Sequence, residues 1–257
     1  MPVVVLLTDF GVSDYYVGVM KGVIAAINPL ARVVDLTHLV EPQNVREASF
    51  ILWASYSFFP DDSIFVSVID PGVGSDRKII CGRLDGRLFI APDNALLDYV
   101  VAEAREVEFH EVSNRKFFAR GVSNTFHGRD IFAPVAAHLS RGAAIHELGE
   151  RFRYPRVEKF YSGISKGMNF GRVVYIDHFG NILTSFLWND ELLNGRSTLS
   201  AGKRRISKYY CSYSAAPGKG LIGVNGSSGL LEISVNRGSA ARILRSKVGN
   251  KLTLRHP

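Results

Sequence analysis

An aspartate that closes an apolar strand delivers a carboxylate to the rim of a sheet, and this chain has two such corners. Asp9 stands in Thr8-Asp9-Phe10-Gly11 after the apolar run 3–7, and Asp70 in Asp70-Pro71-Gly72 after the run 63–69. Pro71 biases Asp70 toward extended backbone geometry, which aims its carboxylate off the strand end. A third corner ends at Asn181, after Ile176-Asp177-His178-Phe179-Gly180. His127 joins them in Phe126-His127-Gly128-Arg129-Asp130, where the glycine at a predicted helix entrance would let a ligand approach closely. Carboxylates and imidazoles are the groups that orient a water molecule and accept its proton. Taken singly, each acidic corner reads better as a turn, because Asp bonds its own backbone there. His38, His110, His138, His146, His178 and His256 read as structural or solvated. No two histidines share the spacing of metal ligands on one helix, so no metal is expected.

The elements that must position these groups alternate in type. Strand-like runs at 3–7, 32–35 and 63–69 are separated by helical periodicity over 15–27 and 45–59, the pattern of a parallel sheet with crossover helices. Two further strands, 78–83 and 87–90, flank Asp85-Gly86, a hairpin signal. A helix over 94–104, a strand near 107–112 and a helix over 131–140 capped by Asp130 complete this part. After about residue 160 helical periodicity fades. Short strands at 171–176, 196–199, 204–206, 221–224, 230–235 and 251–254 alternate with Gly, Asn, Ser and Pro. The expected architecture is an α/β domain over residues 1–158, a mostly parallel sheet with flanking helices, followed by a smaller all-β barrel over residues 168–257.

With 257 residues, 46% of them hydrophobic and 21% charged, the chain reads as an ordinary globular protein, neither disordered nor fibrous. No run approaches the ~20 apolar residues of a membrane helix, and the apolar start halts at Thr8-Asp9 without a basic leader or cleavage site. A soluble, uncleaved protein is expected. Cys81 and Cys211 match no metal or disulfide framework and suit free thiols in a reducing cytoplasm. The net charge of +7 is scattered, and its densest runs, 151–156 and 203–208, lack interleaved aromatics, so neither nucleic acid nor membrane is expected as a partner.

Six blocks in order along nearly the whole chain carry a resemblance. These are Thr8-Asp9-Phe10-Gly11, Tyr16-Val17-Gly18-Val19-Met20-Lys21-Gly22, Asp70-Pro71-Gly72-Val73-Gly74-Ser75-Asp76-Arg77, Phe126-His127-Gly128-Arg129-Asp130, Ile176-Asp177-His178-Phe179-Gly180-Asn181 and Gly226-Ser227-Ser228-Gly229-Leu230-Leu231-Glu232-Ile233. Together they resemble the S-adenosylmethionine hydroxide adenosyltransferases, hydrolases related in fold to the nucleophilic fluorinases and chlorinases. The resemblance implies a homotrimer with active sites between the first domain of one subunit and the second domain of its neighbour. It also implies the reaction of S-adenosylmethionine with water to give adenosine and L-methionine, with the sulfonium compound as substrate and no cofactor. By the same likeness Asp70, Arg77 and His127 handle the water and Asp9 binds the ribose. Asn181 and the stretch around Val235 contact adenine, Phe179 belongs to the same binding block, and Tyr213 stacks near the nucleoside. Asp177 and Ser227, with Glu232, hold the methionine end. Ser185 departs from the family, which often carries Asn there.

The chemistry suits these residues. A sulfonium departs as a neutral thioether without protonation, so the enzyme's task is to orient water in line with the ribose 5′ carbon. Water, with a pKa near ~15.7, needs help from side chains where no metal supplies it. A carboxylate in the nucleophile corner also argues against the halogenases of the same fold, because an anionic side chain beside a desolvated halide is costly. Two other readings stand further off. A non-catalytic nucleoside- or RNA-binding module would show salt-sensitive binding and no turnover. A dinucleotide-dependent dehydrogenase lacks its Gly-x-Gly-x-x-Gly after the first strand.

Overall fold

Val3–Thr8 (β1) is apolar along its length because both its faces are covered. Val4 and Leu6 enter one core cluster with Met20 and Ile24, whereas Val5 and Leu7 enter a second with Ala48 and Leu52. A strand buried on both sides reads as a continuous apolar run and not as an alternation. A computed structural model describes residues 2–218 and 220–257, and the chain divides into two compact units, the first ending at Glu158 and the second beginning at Lys159.

In the first unit β1 is followed by α1 (Tyr16–Ile27), β2 (Arg32–Thr37), α2 (Val45–Ser55), β3 (Ile64–Val68), β4 (Ile79–Leu84), β5 (Arg87–Pro92), α3 (Asp98–Val101), β6 (Val107–Glu111) and α4 (Ala133–Ser140). The strands lie in the order β2-β1-β3-β5-β4-β6. β1 runs parallel to β2 and β3, β3 runs parallel to β5, and β4 is antiparallel to β5 and β6. Asp85 and Gly86 both take positive φ, 45° and 88°, the requirement of a two-residue hairpin loop that follows the strand twist. α1 and α4 cover one face of the sheet, and α2 and α3 the other. The chain leaves β1 toward β2 on one side and returns to β3 on the other. The strand order therefore reverses between β1 and β3, the place where open α/β sheets bind ligands beyond their strand ends.

Three helix expectations need correction. The run 45–59 is helical only to Ser55 and ends in a 3-10 turn, Tyr56–Phe58. The helix expected over 94–104 shrinks to α3, because Asn94 and Ala95 form a turn, with Ala95 at φ 72° and Asn94 Oδ1 accepting from Leu96 N. Asp130 does not cap α4. It lies inside a π-helical turn, Gly128–Phe132, that runs directly into that helix.

The second unit contains β7 (Gly167–Ile176), β8 (Ile182–Leu187), β9 (Thr198–Ala201), β10 (Arg204–Ile206), β11 (Tyr209–Tyr210), β12 (Leu221–Asn225), β13 (Leu230–Val235), α5 (Ala240–Leu244) and β14 (Lys251–His256). Its sheet has eight strands in the order β10-β9-β14-β7-β8-β13-β12-β11. The ten-residue β7 serves two neighbours, pairing through 167–172 with β14 and through 173–176 with β8. Val173, Phe186, Leu199, Ile233, Leu252 and Leu254 fill the core of this unit. Among the described residues the end strands β10 and β11 form no ladder with each other.

Candidate active site

Asp9 and Asp70 emerge side by side at the strand-order reversal. Thr8 of β1 is level with Val68 of β3, so the two corners leave adjacent parallel strands at the same end. Asp9 follows immediately, and its Oδ2 accepts from the backbone N–H of Gln43 at 2.8 Å, which ties this corner to the loop after β2. Asp70 lies two residues past Val68. Asn94 Nδ2 donates to the carbonyl of Ile69 at 2.9 Å, holding the peptide that precedes Asp70.

From Asp70 the chain doubles back. Val73 N–H donates to Asp70 O, Ser75 N–H to Gly72 O, and Arg77 N–H to Ser75 Oγ. Gly74 sits at φ +80°, and a Cβ there would lie 2.5 Å from the carbonyl oxygen of Asn124. These turns return Arg77 to Asp70, where Nε reaches both carboxylate oxygens at 3.0 Å and Nη2 also donates to Oδ2. The pair is well shielded, with side-chain exposures of 13% for Arg77 and 6% for Asp70. Such a two-toothed guanidinium–carboxylate contact fixes both groups in orientation.

Arg77 carries a further contact, from Nη2 to His127 Nδ1 at 2.7 Å. Because guanidinium only donates, Nδ1 must be the acceptor and the neutral ring carries its proton on Nε2. Burial and the charge of Arg77 hold the His127 pKa below its usual value, against the opposing pull of Asp70, Asp130 and a hydrogen bond to the Ser123 backbone. The imidazole is therefore neutral at physiological pH.

The segment carrying His127 is set by its neighbours. Asp130 is buried and accepts from Ser123 N–H at 2.8 Å and from Arg129 at 2.6 and 2.9 Å. Burial would raise its pKa, but those bonds override it and hold the carboxyl below its normal range. Phe126 packs edge-on against Phe10 and Tyr16, linking this segment to the corner that holds Asp9. Gly128 fits that packing: a Cβ there would meet Met20, Phe10 and Phe126 at 3.2–3.3 Å. A cavity of about 650 Å³ flanks His127, walled by Gly74, Ser75, Asn124 and Arg120 among others, while Asp70 and Arg77 do not line it.

In the second unit a separate cavity of about 650 Å³ is lined by Asp177, Phe179, Asn181, Tyr213, Val235 and Arg237, together with Ser239 and Arg242. Both Asp177 carboxylate oxygens accept from Asn181, from its N–H at 2.8 Å and its Nδ2 at 2.9 Å. Gly180, at φ +84°, closes this turn against Ser239, which leaves no room for a Cβ. Phe179 projects into solvent with 75% exposure. Tyr213 donates its hydroxyl to Glu232 Oε1 at 2.6 Å, as does Ser234. Burial and the Glu232 carboxylate push the Tyr213 phenol well above its usual pKa. Glu232 is buried beneath Tyr213 and does not line the cavity. Ser227 is exposed on the β12–β13 turn and also lies outside the lining. Ser185 is buried in β8, where its Oγ accepts from Arg172 N–H at 3.0 Å.

The residues that sequence reasoning missed are supporting ones: Asn94 behind Asp70, Asn124 against Gly74, and Ser239 and Arg242 at the start of α5. Only Ser239 left a signal, as a Ser three residues before an arginine whose backbone N–H it caps. Among the described residues no three His, Cys, Asp or Glu side chains gather as a ligand set. Cys81 and Cys211 are free thiols, the first buried, and among the described residues no helix is long and apolar enough to cross a membrane.

Comparison with known proteins fits this arrangement. Residues 4–149 match the model of the SAM hydroxide adenosyltransferase N-terminal domain, and residues 171–253 that of the C-terminal domain. The chain belongs to this family. The (R)-S-adenosyl-L-methionine hydrolase of Salinispora arenicola is 34% identical over 98% of this chain and 97% of its own length. A solved structure of an uncharacterized conserved protein from Thermotoga maritima superposes with a TM-score of 0.90 at 36% identity, covering 98% of this chain and 100% of that one. The fluorinase of Actinoplanes sp. is more distant, 27% identical over 72% of this chain and 71% of its own. Within the family, the hydrogen-bonded Asp70–Arg77–His127 cluster lies in the N-terminal domain, and the cavity beside Asp177 and Tyr213 in the C-terminal domain.

Proposed function

We propose that this protein hydrolyses S-adenosyl-L-methionine, with water attacking the ribose 5′ carbon in line with the sulfonium to give adenosine and L-methionine. The observation that carries the reading is the Asp70–Arg77–His127 cluster beside the strand-order reversal of a chain 34% identical to a named hydrolase of that substrate. Attack by neutral water first yields a protonated alcohol, a strong acid, so a carboxylate is basic enough to take its proton. Asp70 fills that role. Among the described residues its Oδ1 accepts only from Arg77 Nε, and it retains lone-pair capacity. His127 is then a positioning residue that holds Arg77, because its Nδ1 lone pair is already committed. No charge is created when a sulfonium departs as a thioether, so neither a general acid nor a Lewis acid is required for the leaving group.

The remaining roles follow the chemistry of the substrate. Asp9 accepts the ribose hydroxyls, Asn181 and the backbone near Val235 read adenine, and Phe179 and Tyr213 flank the nucleoside. Asp177 meets the ammonium and Ser227 the carboxylate of methionine, while Glu232 acts by fixing Tyr213. The active enzyme is a homotrimer in which the cluster of one subunit's first unit works with the cavity of a neighbour's second unit. Supporting this, the first unit holds the Asp70–Arg77–His127 cluster and the second the cavity with Asp177, Asn181 and Tyr213.

Chromatographic product analysis after incubation with S-adenosyl-L-methionine, without added metal and in chloride or fluoride buffer, tests the proposal. Adenosine and methionine as the products support it. A halogenated nucleoside as the main product assigns the chain to the fluorinase side of the superfamily, and no turnover removes the reading.

A further inference from the structure

The net charge of +7 is divided unevenly. Residues 159–257 hold 15 Lys and Arg against 4 Asp and Glu, whereas residues 1–158 hold 16 against 20. Strand register gathers part of the excess onto one surface. Lys251 of β14 is level with Arg172 of β7, Thr253 with Phe170, and Arg255 with Met168. The middle row continues from Thr253 to Ser200 of β9 and on to Arg205 of β10, and the lower row from Arg255 to Thr198. Residues opposite one another across a ladder share a face, and so do residues two apart along a strand. The other face of the same strands carries Val173, Leu199, Ile206, Leu252 and Leu254 into the core.

The outward face of β10-β9-β14-β7 thus carries Arg172, Arg205, Lys251 and Arg255 around hydroxyls, with Phe170 and Met168 open to solvent at 75% and 54%. These strand segments contain no Asp or Glu, and none of the four cations forms an ion pair among the described residues. Beside Phe170 a cavity of about 700 Å³ is lined by Tyr161, Arg172, Lys251 and Thr253. An exposed aromatic on a sheet, ringed by unpaired cations, has the chemistry to stack an unpaired base while its neighbours meet phosphates. A surface this free of carboxylates fits a polyanion by charge, and Phe170 selects a polyanion with exposed ring faces.

We propose that this sheet face binds single-stranded nucleic acid, independently of the hydrolase reading. The test is fluorescence anisotropy of the full-length protein with labelled 12-nucleotide oligouridylate and oligothymidylate, the two arms separating RNA from DNA. With four phosphate contacts, binding should weaken about 50-fold between 50 and 200 mM salt. Phe170→Ala should weaken binding about fivefold or more. Lys251→Ala should weaken binding and flatten the salt dependence, whereas Arg46→Ala, the same charge change at an exposed position of α2 in the first unit, should bind as the parent does. Light scattering should give Phe170→Ala the parent's mass. Four results overturn the proposal: no binding at 50 mM salt, unchanged binding by Phe170→Ala, duplex bound as tightly as single strand, or an altered mass of Phe170→Ala, which would make this face a contact between copies of the chain.

Discussion

Replacing His127 by Ala and by Asn separates two roles that a single knock-out would confuse. The imidazole Nδ1 stands 2.7 Å from Arg77 Nη2, and Arg77 in turn holds Asp70 through Nε at 3.0 Å. In Asn, the amide oxygen occupies the same bond distance from Cα as Nδ1, so it can accept from Arg77 but cannot titrate. A hydrogen bond to a charged group contributes ~1.5–3 kcal/mol. At ~1.36 kcal/mol per tenfold, its loss in His127→Ala should lower kcat about 10- to 150-fold if the bond acts by aligning Arg77 and Asp70. His127→Asn should recover to within about fivefold of the parent on the same scale. Asp70→Asn keeps the shape but loses the proton acceptor, a change of ~10²–10⁴ in kcat. Initial rates of adenosine release across substrate concentration, with KM fitted separately, read all three. Equal losses of about a thousandfold in the Ala and Asn variants of His127 would refute the positioning role and make the imidazole itself the proton acceptor.

Further perturbations probe the supports of the site. Asp9→Ala should raise KM more than it lowers kcat, because its proposed partner is the non-reacting ribose diol, and steady-state kinetics distinguish the two. Gly74→Ala forces a Cβ onto a +80° backbone and against the Asn124 carbonyl, so urea unfolding should show a loss of at least ~1 kcal/mol, with kcat falling as Arg77 shifts. Tyr213→Phe leaves the buried Glu232 with Ser234 alone and should cost ~1–3 kcal/mol in the same measurement. For pH, burial and nearby cations hold His127 and His138 below the ordinary histidine value, so below about pH 6.5 the unfolded chain binds more protons than the folded one. Stability should therefore fall as pH drops from about 6.5 toward the depressed folded values, and His127→Asn should lessen that fall.

What the sequence disclosed and what it hid divide along the range of the interactions involved. The strands that carry Asp9 and Asp70 were legible because burial on both faces makes them continuous apolar runs bounded by turns. β8 was passed over because buried Thr184 and Ser185 interrupt its apolar pattern, and their satisfaction, Thr184 Oγ1 on the Leu231 carbonyl and Ser185 Oγ on Arg172 N–H, comes from other strands. The cap expected at Asp130 failed for a similar reason. An Asp before an apolar run is a cap by local rules, but here Arg129 and the Ser123 backbone claim the carboxylate, and the chain is already helical. Arg77 could be tied to Asp70 only through the family likeness, since the seven-residue return depends on Gly74 fitting beneath Asn124, fifty residues away. The charged face is hidden in the sequence for the same physical reason. Arg172, Arg205, Lys251 and Arg255 look scattered along the chain, and Phe170 falls just outside the expected strand 171–176. Only the β7–β14–β9–β10 register puts the cations in adjacent rows around a phenyl ring that points away from the core. A charge run is visible in one dimension, whereas a charged sheet face is a property of pairing, and in a two-residue period each such residue sits beside a core residue that masks it.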